Sequence, residues 1–597
     1  MQPSFLANVV LGVWLWLFAG ATVQAQSYYI SSIVPSFVLS RTTCAAPCGI
    51  FLNLGGTTGA TRPALRLGYK TTWGDPGGTW PYGGQTDKNT SIGPWAAHVY
   101  EAAGTYSINS LVTGASGSLP AAGSVTVTSE QSSFANVVCL STSTTPVVGS
   151  DGCPSYATAV ANVASLDAAS AYFANSSCVH LRHDDTFNTV GNFAINKTLG
   201  CLDWYGSGAK PIIRISATIT TGCVLQLQNS TDWRVRNLQF DFNSSTVITF
   251  CFSGTTNNLL MESNTCDGGG GKCFTCFNND AHLTGTPYIF IVGNTCTNLA
   301  AISGNANCFQ YFTNGAYYVA MLGNNFDGAA TCSGGFTARF QTWNYVVVEN
   351  NRLANQPTGG KDILRFHGPT STLFAVDQYA MVRDNEIVAA TGAGGSLIKA
   401  NSQTGVGELG DVDNVIIEAN HLVESSATIN PVTASAINLE FRDNICDASA
   451  RAGGATAFCI VTGAVAGFTA PATIDIVGNV LYAPNTSTSL TNLFTYGALT
   501  GAWDVRNNIV YSPQGSIATG TGSAPSPLSN NSSSVSTNPN FVNAGGSMAL
   551  ATDFKLSMSS YACHAGAAVA YNVFDYGAAL FPMGSTNNMG AWQTGSC

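Results

Sequence analysis

Charge is scarce in this chain. Lys, Arg, Asp and Glu together make up 9% of the residues, and only 22 of 597 are Lys or Arg. The net charge is −10, so there is no basic field to hold a phosphate backbone, and nucleic acid is excluded as the partner. After residue 25 no stretch is long and apolar enough to span a bilayer. Paired CxxC motifs are missing as well. Cys273-Phe274-Thr275-Cys276 stands alone, which does not make a structural zinc site. The apolar runs also lack a helical period; they are short, rich in Val, Ile, Phe and Tyr, and partly alternating, as strands are.

What the chain does have is a recurring asparagine. Asn264, Asn294, Asn324, Asn351, Asn385, Asn420, Asn444, Asn479 and Asn508 each follow such a run, at spacings of 24 to 35 residues. A repeat of that length means stacked units rather than a single globular core. One strand, a corner at Asn and a second strand per repeat describe a rung of a parallel β-helix. Asn suits the corner because it tolerates the left-handed conformation and can pass amide bonds from rung to rung. Sandwich turns would recur every 8–12 residues. The fold expected is all-β: a right-handed parallel β-helix of ten or more rungs.

Residues 1–25 read as a secretory signal, with an apolar core from Val9 to Ala21 and a small-x-small end at Val23-Gln24-Ala25. Eighteen cysteines agree with an oxidising destination. Cys44 with Cys48, and Cys563 with Cys597, are expected local bridges; Cys266 and Cys296 should stack one rung apart. The protein is therefore expected to be secreted, periplasmic or on the cell surface, without a membrane span once the signal is removed, and monomeric.

Residues 26–128 lack the repeat. Trp73-Gly74-Asp75-Pro76-Gly77 and the strand pair from His98 to Ile108 fit a short-stranded sandwich. This segment resembles a PKD-type, immunoglobulin-like domain, which implies a spacer rather than a catalytic unit. A Ser/Thr-rich linker (129–149) precedes the β-helix (150–597), which should open on a helical cap over Tyr156 to Ala174. Val179-His180-Leu181-Arg182-His183-Asp184-Asp185-Thr186-Phe187, the Tyr205–Ile213 turn, and the closing Asn538-Pro539-Asn540-Phe541, Asp553-Phe554-Lys555-Leu556 and Gly590-Ala591-Trp592 segments resemble pectate-lyase-like β-helix proteins. That resemblance implies a carbohydrate-active protein.

Aligning the second strand of each rung stacks TCFNN (275–279), QYFTN (310–314), ARFQT (338–342), LRFHG (364–368) and IKANS (398–402). Phe277, Phe312, Phe340, Phe366 and Ala400 would point inward, and alternation sends their neighbours to solvent. One outward column then reads Cys276, Tyr311, Arg339, Arg365, Lys399; the other reads Asn278, Thr313, Gln341, His367, Asn401. Three cations on successive rungs, in a chain with so few, call for an anion across them. An acidic polysaccharide built from uronates supplies one carboxylate per sugar.

β-Elimination on such a polymer needs a neutralised carboxylate, a base for the α-proton and an acid for the leaving oxygen. Lys399 is the expected base, Arg365 and Arg339 the carboxylate clamps, and His367 or Tyr311 the proton donor. Arg339, Gln341, Asn401, Lys361 and Trp343 are expected to hold substrate. Leu364-Arg365-Phe366-His367-Gly368 resembles the basic strand of alginate- and chondroitin-type lyases, which implies lyase activity, often with Ca2+. Glu262, Asp267, Asp280 and Asp327 lie on neighbouring rungs but form no obvious cluster, so the metal ligands stay unassigned. A glycoside hydrolase on the same fold and a non-catalytic glycan-binding or surface protein are the alternatives.

Overall fold

The computed structural model describes residues 33–60, 62–114, 117–216, 223–241, 248–267, 275–283, 287–297, 307–311, 316–327, 336–354, 362–369, 376–389, 395–403, 408–424, 430–450, 457–484, 491–496, 501–513, 515–520, 526, 528–532, 535–543, 550–569, 572, 574–579 and 587–593. The expected signal, residues 1–25, lies outside them. No helix among the described residues is long and apolar enough to cross a membrane.

Three long parallel sheets, of fifteen, twelve and twelve strands, run the length of a right-handed parallel β-helix. Each rung contributes one strand to each sheet: first to a docking sheet, then past the asparagine to a corner sheet, then to a groove sheet. The core is one continuous apolar column, with Phe240, Leu353, Ile387, Leu422 and Val510 among its fully enclosed members.

The asparagines form the expected ladder. Asn351 donates its backbone N–H and its Nδ2 to Oδ1 of Asn385, both at 2.9 Å, and Asn385 does the same to Asn420 at 3.1 and 2.9 Å. Each Nδ2 also reaches a carbonyl of the preceding rung, as in Asn385 to Val348 at 2.8 Å. The ladder runs from Asn264 to Asn508 and ends on Asn531, one rung beyond those visible in the sequence.

The left-handed residue is not the ladder asparagine itself but the one before it. Ser263, Gly293, Gly323, Asn350, Asp384, Ala419, Asp443, Gly478, Asn507 and Asn530 all have φ between 52° and 71°. The corner turns at that outward residue, which leaves the asparagine free to aim its amide inward along the rungs.

The linker and cap are corrected. Asn136–Ser141, inside the expected linker 129–149, is already a strand of the docking sheet, pairing with Ser177–Arg182. The expected helical cap is instead a strand, Ala159–Asn162, closing the sheet edge, followed by a 3-10 turn over Asp167–Tyr172. Short alanine runs make a poor isolated helix, and pairing covers the open end of the sheet.

Residues 33 to 128 form two further sheets, of three and five strands, around Tyr69, Trp73, Ile108 and Val125. The Trp73, His98, Tyr100 and Tyr106 rings meet in series, stacked at both ends and edge-on between His98 and Tyr100, and His98 Nε2 lies 3.0 Å from Asp75. This front unit lies against the docking sheet. Its Phe51, Trp95 and Val99 pack on an outward apolar row, Leu260, Phe290, Ala320, Val347, Met381 and Ile416. Cys44–Cys48 is bonded as expected. Cys139–Cys153, Cys178–Cys201, Cys223–Cys251 and Cys446–Cys459 are bonded as well, pairings that the sequence did not indicate. Cys266 pairs in register with Cys296, and Cys597 lies outside the described residues.

Candidate active site

Phe336–Phe340, Leu364–Phe366 and Ile398–Ala400 are neighbouring strands of the groove sheet. Phe340, Phe366 and Ala400 are fully buried, with the two rings stacked at 5.0 Å. Arg339, Arg365 and Lys399 pair in register on the opposite pleat, as the alternation requires. Arg339 and Lys399 are partly exposed.

The register of the preceding rung differs from expectation. Gln310, not Tyr311, pairs with Arg339, while Tyr311 pairs with Phe340; Asn278, not Cys276, is the next member of the column. The strand is Asn307–Tyr311, so a string that centred on Phe312 slips by one residue and exchanges its faces. Tyr311 therefore drops out as a member of the basic column. Lys361 lies outside the described residues.

Arg365 is not an exposed clamp. It is 1% exposed, and its guanidinium donates to Oδ1 and to the backbone oxygen of Asn401 (3.1 Å for the latter). Glu408 and Asp362 lie 3.7 and 4.0 Å away. Burial lowers its pKa while these two acids oppose the shift. Asn401 is correspondingly occupied by Arg365 rather than presented to a substrate. Trp343 is also corrected: it is fully buried against Phe366, donating Nε1 to the His367 carbonyl at 2.8 Å, and offers no sugar platform. Gln341 is buried too, with an Oε1 that has no hydrogen-bond partner among the described residues.

The new element is Glu408. Its Oε1 lies 2.7 Å from His367 Nδ1, and its Oε2 accepts from the N–H groups of Gly368 (3.0 Å) and Gln403 (2.6 Å). On the other edge of the ring, Arg339 Nε lies 3.1 Å from His367 Nε2. An arginine N–H can only donate, so Nε2 presents its lone pair and the ring proton sits on Nδ1, facing Glu408. Burial raises the Glu408 pKa, opposed by Arg365 and the two backbone donors. Burial, with Arg365 nearby, lowers Arg339 to about 10. A histidine backed by a carboxylate is oriented and made ready to take a proton at Nε2. Glu408 sits in a Gly-rich loop where only the general scarcity of charge marks it in sequence.

Other acids are committed elsewhere. Asp185 accepts from Ser141, Thr142 and Ser143, and Glu262 is held by Arg236 at 2.8 Å. Glu130, Cys178, His180 and Cys201 bring potential metal-ligand atoms within 4.8 Å of one another, but the two sulfurs are joined as a disulfide. Asp327 lies 4.0 Å from Arg352, and the Asp267 and Asp280 side chains lie outside the described residues.

Fold and site together define a parallel β-helix protein with a basic face in which a carboxylate-backed histidine is embedded. No protein-family model and no curated protein matches the chain. Among solved structures it is similar to the Yersinia enterocolitica family 28 exopolygalacturonase, at 11% identity and a TM-score of 0.35, over 83% of this chain and 97% of that one. A GH136 lacto-N-biosidase from Eubacterium ramulus shows 9% identity and a TM-score of 0.31, over 60% of this chain and 67% of that one. The catalytic domain of a GH87 α-1,3-glucanase in complex with tetrasaccharides shows 10% identity and a TM-score of 0.20, over 84% and 97%.

Proposed function

We propose that this chain is an exported carbohydrate-active enzyme that cleaves an acidic, uronate-containing polysaccharide by β-elimination on the groove sheet. The observation that carries this reading is the His367–Glu408 pair set beside the partly exposed Arg339, with Lys399 two strands further along. Strands are about 4.8 Å apart, so Arg339 and Lys399 stand about 10 Å from each other, enough to span one linkage. In this proposal Arg339 leaves His367 to neutralise the uronate carboxylate, which acidifies the α-proton. His367 Nε2 then accepts that proton, and Glu408 stabilises the imidazolium. The C–H electron pair forms the ring double bond, the bond to the leaving oxygen breaks, and the Lys399 ammonium protonates that oxygen. The roles first expected of Lys399 and His367 are thus exchanged, because His367 presents a lone pair rather than a proton. Arg365 acts through Asn401 and Glu408 as a positioning residue.

The front unit is, in the same proposal, a PKD-type module that stiffens the rod rather than reacting. The disulfides support an oxidising destination. A glycoside hydrolase is the second reading, favoured by the carboxylates Glu408 and Asp362 on either side of Arg365. The two separate cleanly: elimination yields an unsaturated uronate with ultraviolet absorbance, whereas hydrolysis yields reducing ends without it. Alginate, pectate, chondroitin sulfate and glucuronan, each with calcium and with chelator, make up the panel.

A further inference from the structure

A second cleft, of about 360 Å³, lies away from the groove sheet. It forms where three distant segments meet: the front-unit loop at Tyr82, the corner sheet at Glu386 and His421, and the closing segment at Thr552 and Trp592. Sites at the junction of separately folded pieces are a common place for ligands.

The loop is held rigidly. Asn350 Nδ2 donates to the carbonyls of Tyr82 (2.8 Å) and Gln85 (2.7 Å), and Asp384 Oδ1 accepts from the N–H groups of Gly84 and Gln85, both at 3.2 Å. Gly83 lies so close to the sheet, at a φ of 90°, that an added Cβ would fall 2.3 Å from the Asp384 carbonyl oxygen. Tyr82 is thereby fixed, half-buried, as one wall.

The corner-sheet wall carries Glu386 and His421 on consecutive rungs, with Arg352 in register one strand earlier. The Glu386 side chain is 39% exposed and meets Arg352 at 3.4 Å. His421 is buried, and its Nε2 has no hydrogen-bond partner among the described residues, with Asp447 3.8 Å away.

We propose that this cleft is a second glycan-binding site, separate from the basic face, that takes a neutral sugar residue. The chemistry selects that ligand. Arg352 balances Glu386, so an anionic sugar gains no net attraction and meets the carboxylate itself. Neighbouring hydroxyls of a pyranose can donate to the two Glu386 oxygens, while the apolar face of the ring lies against Tyr82.

Calorimetry on the full chain tests this, with neutral hexaoses of glucose, mannose, galactose and xylose and a hexauronate as the contrasting probe. At least one neutral hexaose is expected to bind, and Glu386→Gln and Tyr82→Ala should each weaken it about tenfold, equivalent to about 1.4 kcal/mol. Both variants should keep the wild-type melting temperature and the wild-type turnover at the basic face. If no neutral hexaose binds, if only the hexauronate does, or if neither substitution changes affinity, the proposal is wrong.

Discussion

A single asparagine in the ladder serves two rungs. Asn385 accepts from the backbone and side chain of Asn351 and donates to Asn420 and to Val348, all without solvent. Asn385→Leu strands donors on one side and an acceptor on the other, so we expect a loss of about 3 kcal/mol or more in denaturant unfolding. At the site, His367→Ala should lower kcat by about 10²–10⁴, the range of a lost acid–base group. Tyr311→Phe should leave turnover near wild type, since its strand position matches buried Phe340 rather than Arg339. Steady-state rates of both variants on the cleaved polymer check this pair. The ladder was legible because its period lies in the sequence. Glu408 was not, because a contact 41 residues away depends on how a loop folds back over the strand.

At the scale of elements, the docking sheet is the part least readable from local pattern. Its strands are buried on both faces, so runs such as Asn257–Glu262 and Trp343–Glu349 carry little alternation to say what lies outside. The outer face holds a tyrosine stack, Tyr288, Tyr318, Tyr345 and Tyr379, with centroids 4.6 to 4.7 Å apart, and Trp95 from the front unit packs on it. Tyr345 belongs to this interface. Beside the stack, Glu349, Arg383, Glu418 and Arg442 alternate in sign on successive strands. Arg66 of the front unit meets Asp475 at 2.6 Å and Glu440 at 3.8 Å, all three nearly inaccessible. Arg66→Met removes the cation and leaves the two acids sealed in place. We expect about 3–5 kcal/mol of destabilisation, read as a lower melting temperature. By contrast, the groove-sheet strands were readable: Phe340, Phe366 and Ala400 point inward as alternation demands. The two rungs before them slipped, Asn307–Tyr311 by one residue and Thr275–Leu283 by two.

Across the whole molecule, acids sealed at the junction of the two units, Glu349 and Asp384 among them, give stability a pH dependence of known sign. Burial, with Asp384 nearby, pushes Glu349 up to about 8; burial pushes Asp384 up to about 6 against the pull of Arg383. Carboxyls raised above their unfolded values hold protons that the unfolded chain has already released. Their contribution is therefore fully present below about pH 4 and is lost as pH rises through about 6 and then 8. Glu418 acts in the opposite sense: burial would raise it, but Arg442 and Arg383 hold it low, so its contribution is lost only on acidification. The melting temperature should thus peak at mildly acid pH and fall between about pH 5 and pH 8, and Glu349→Gln should flatten that fall. A melting series across this range, wild type beside variant, reads it directly.

Arg339 and Lys399 stand partly exposed on the groove sheet, where the proposed reaction takes place. The decisive measurement is ultraviolet absorbance of the purified chain acting on the uronate panel, with Lys399→Ala and His367→Ala in parallel and reducing ends assayed on the same samples. The account predicts a rise in absorbance on one acidic polymer that both substitutions abolish. New reducing ends without absorbance would contradict elimination, and neither signal on any acidic polymer would contradict catalysis at this face.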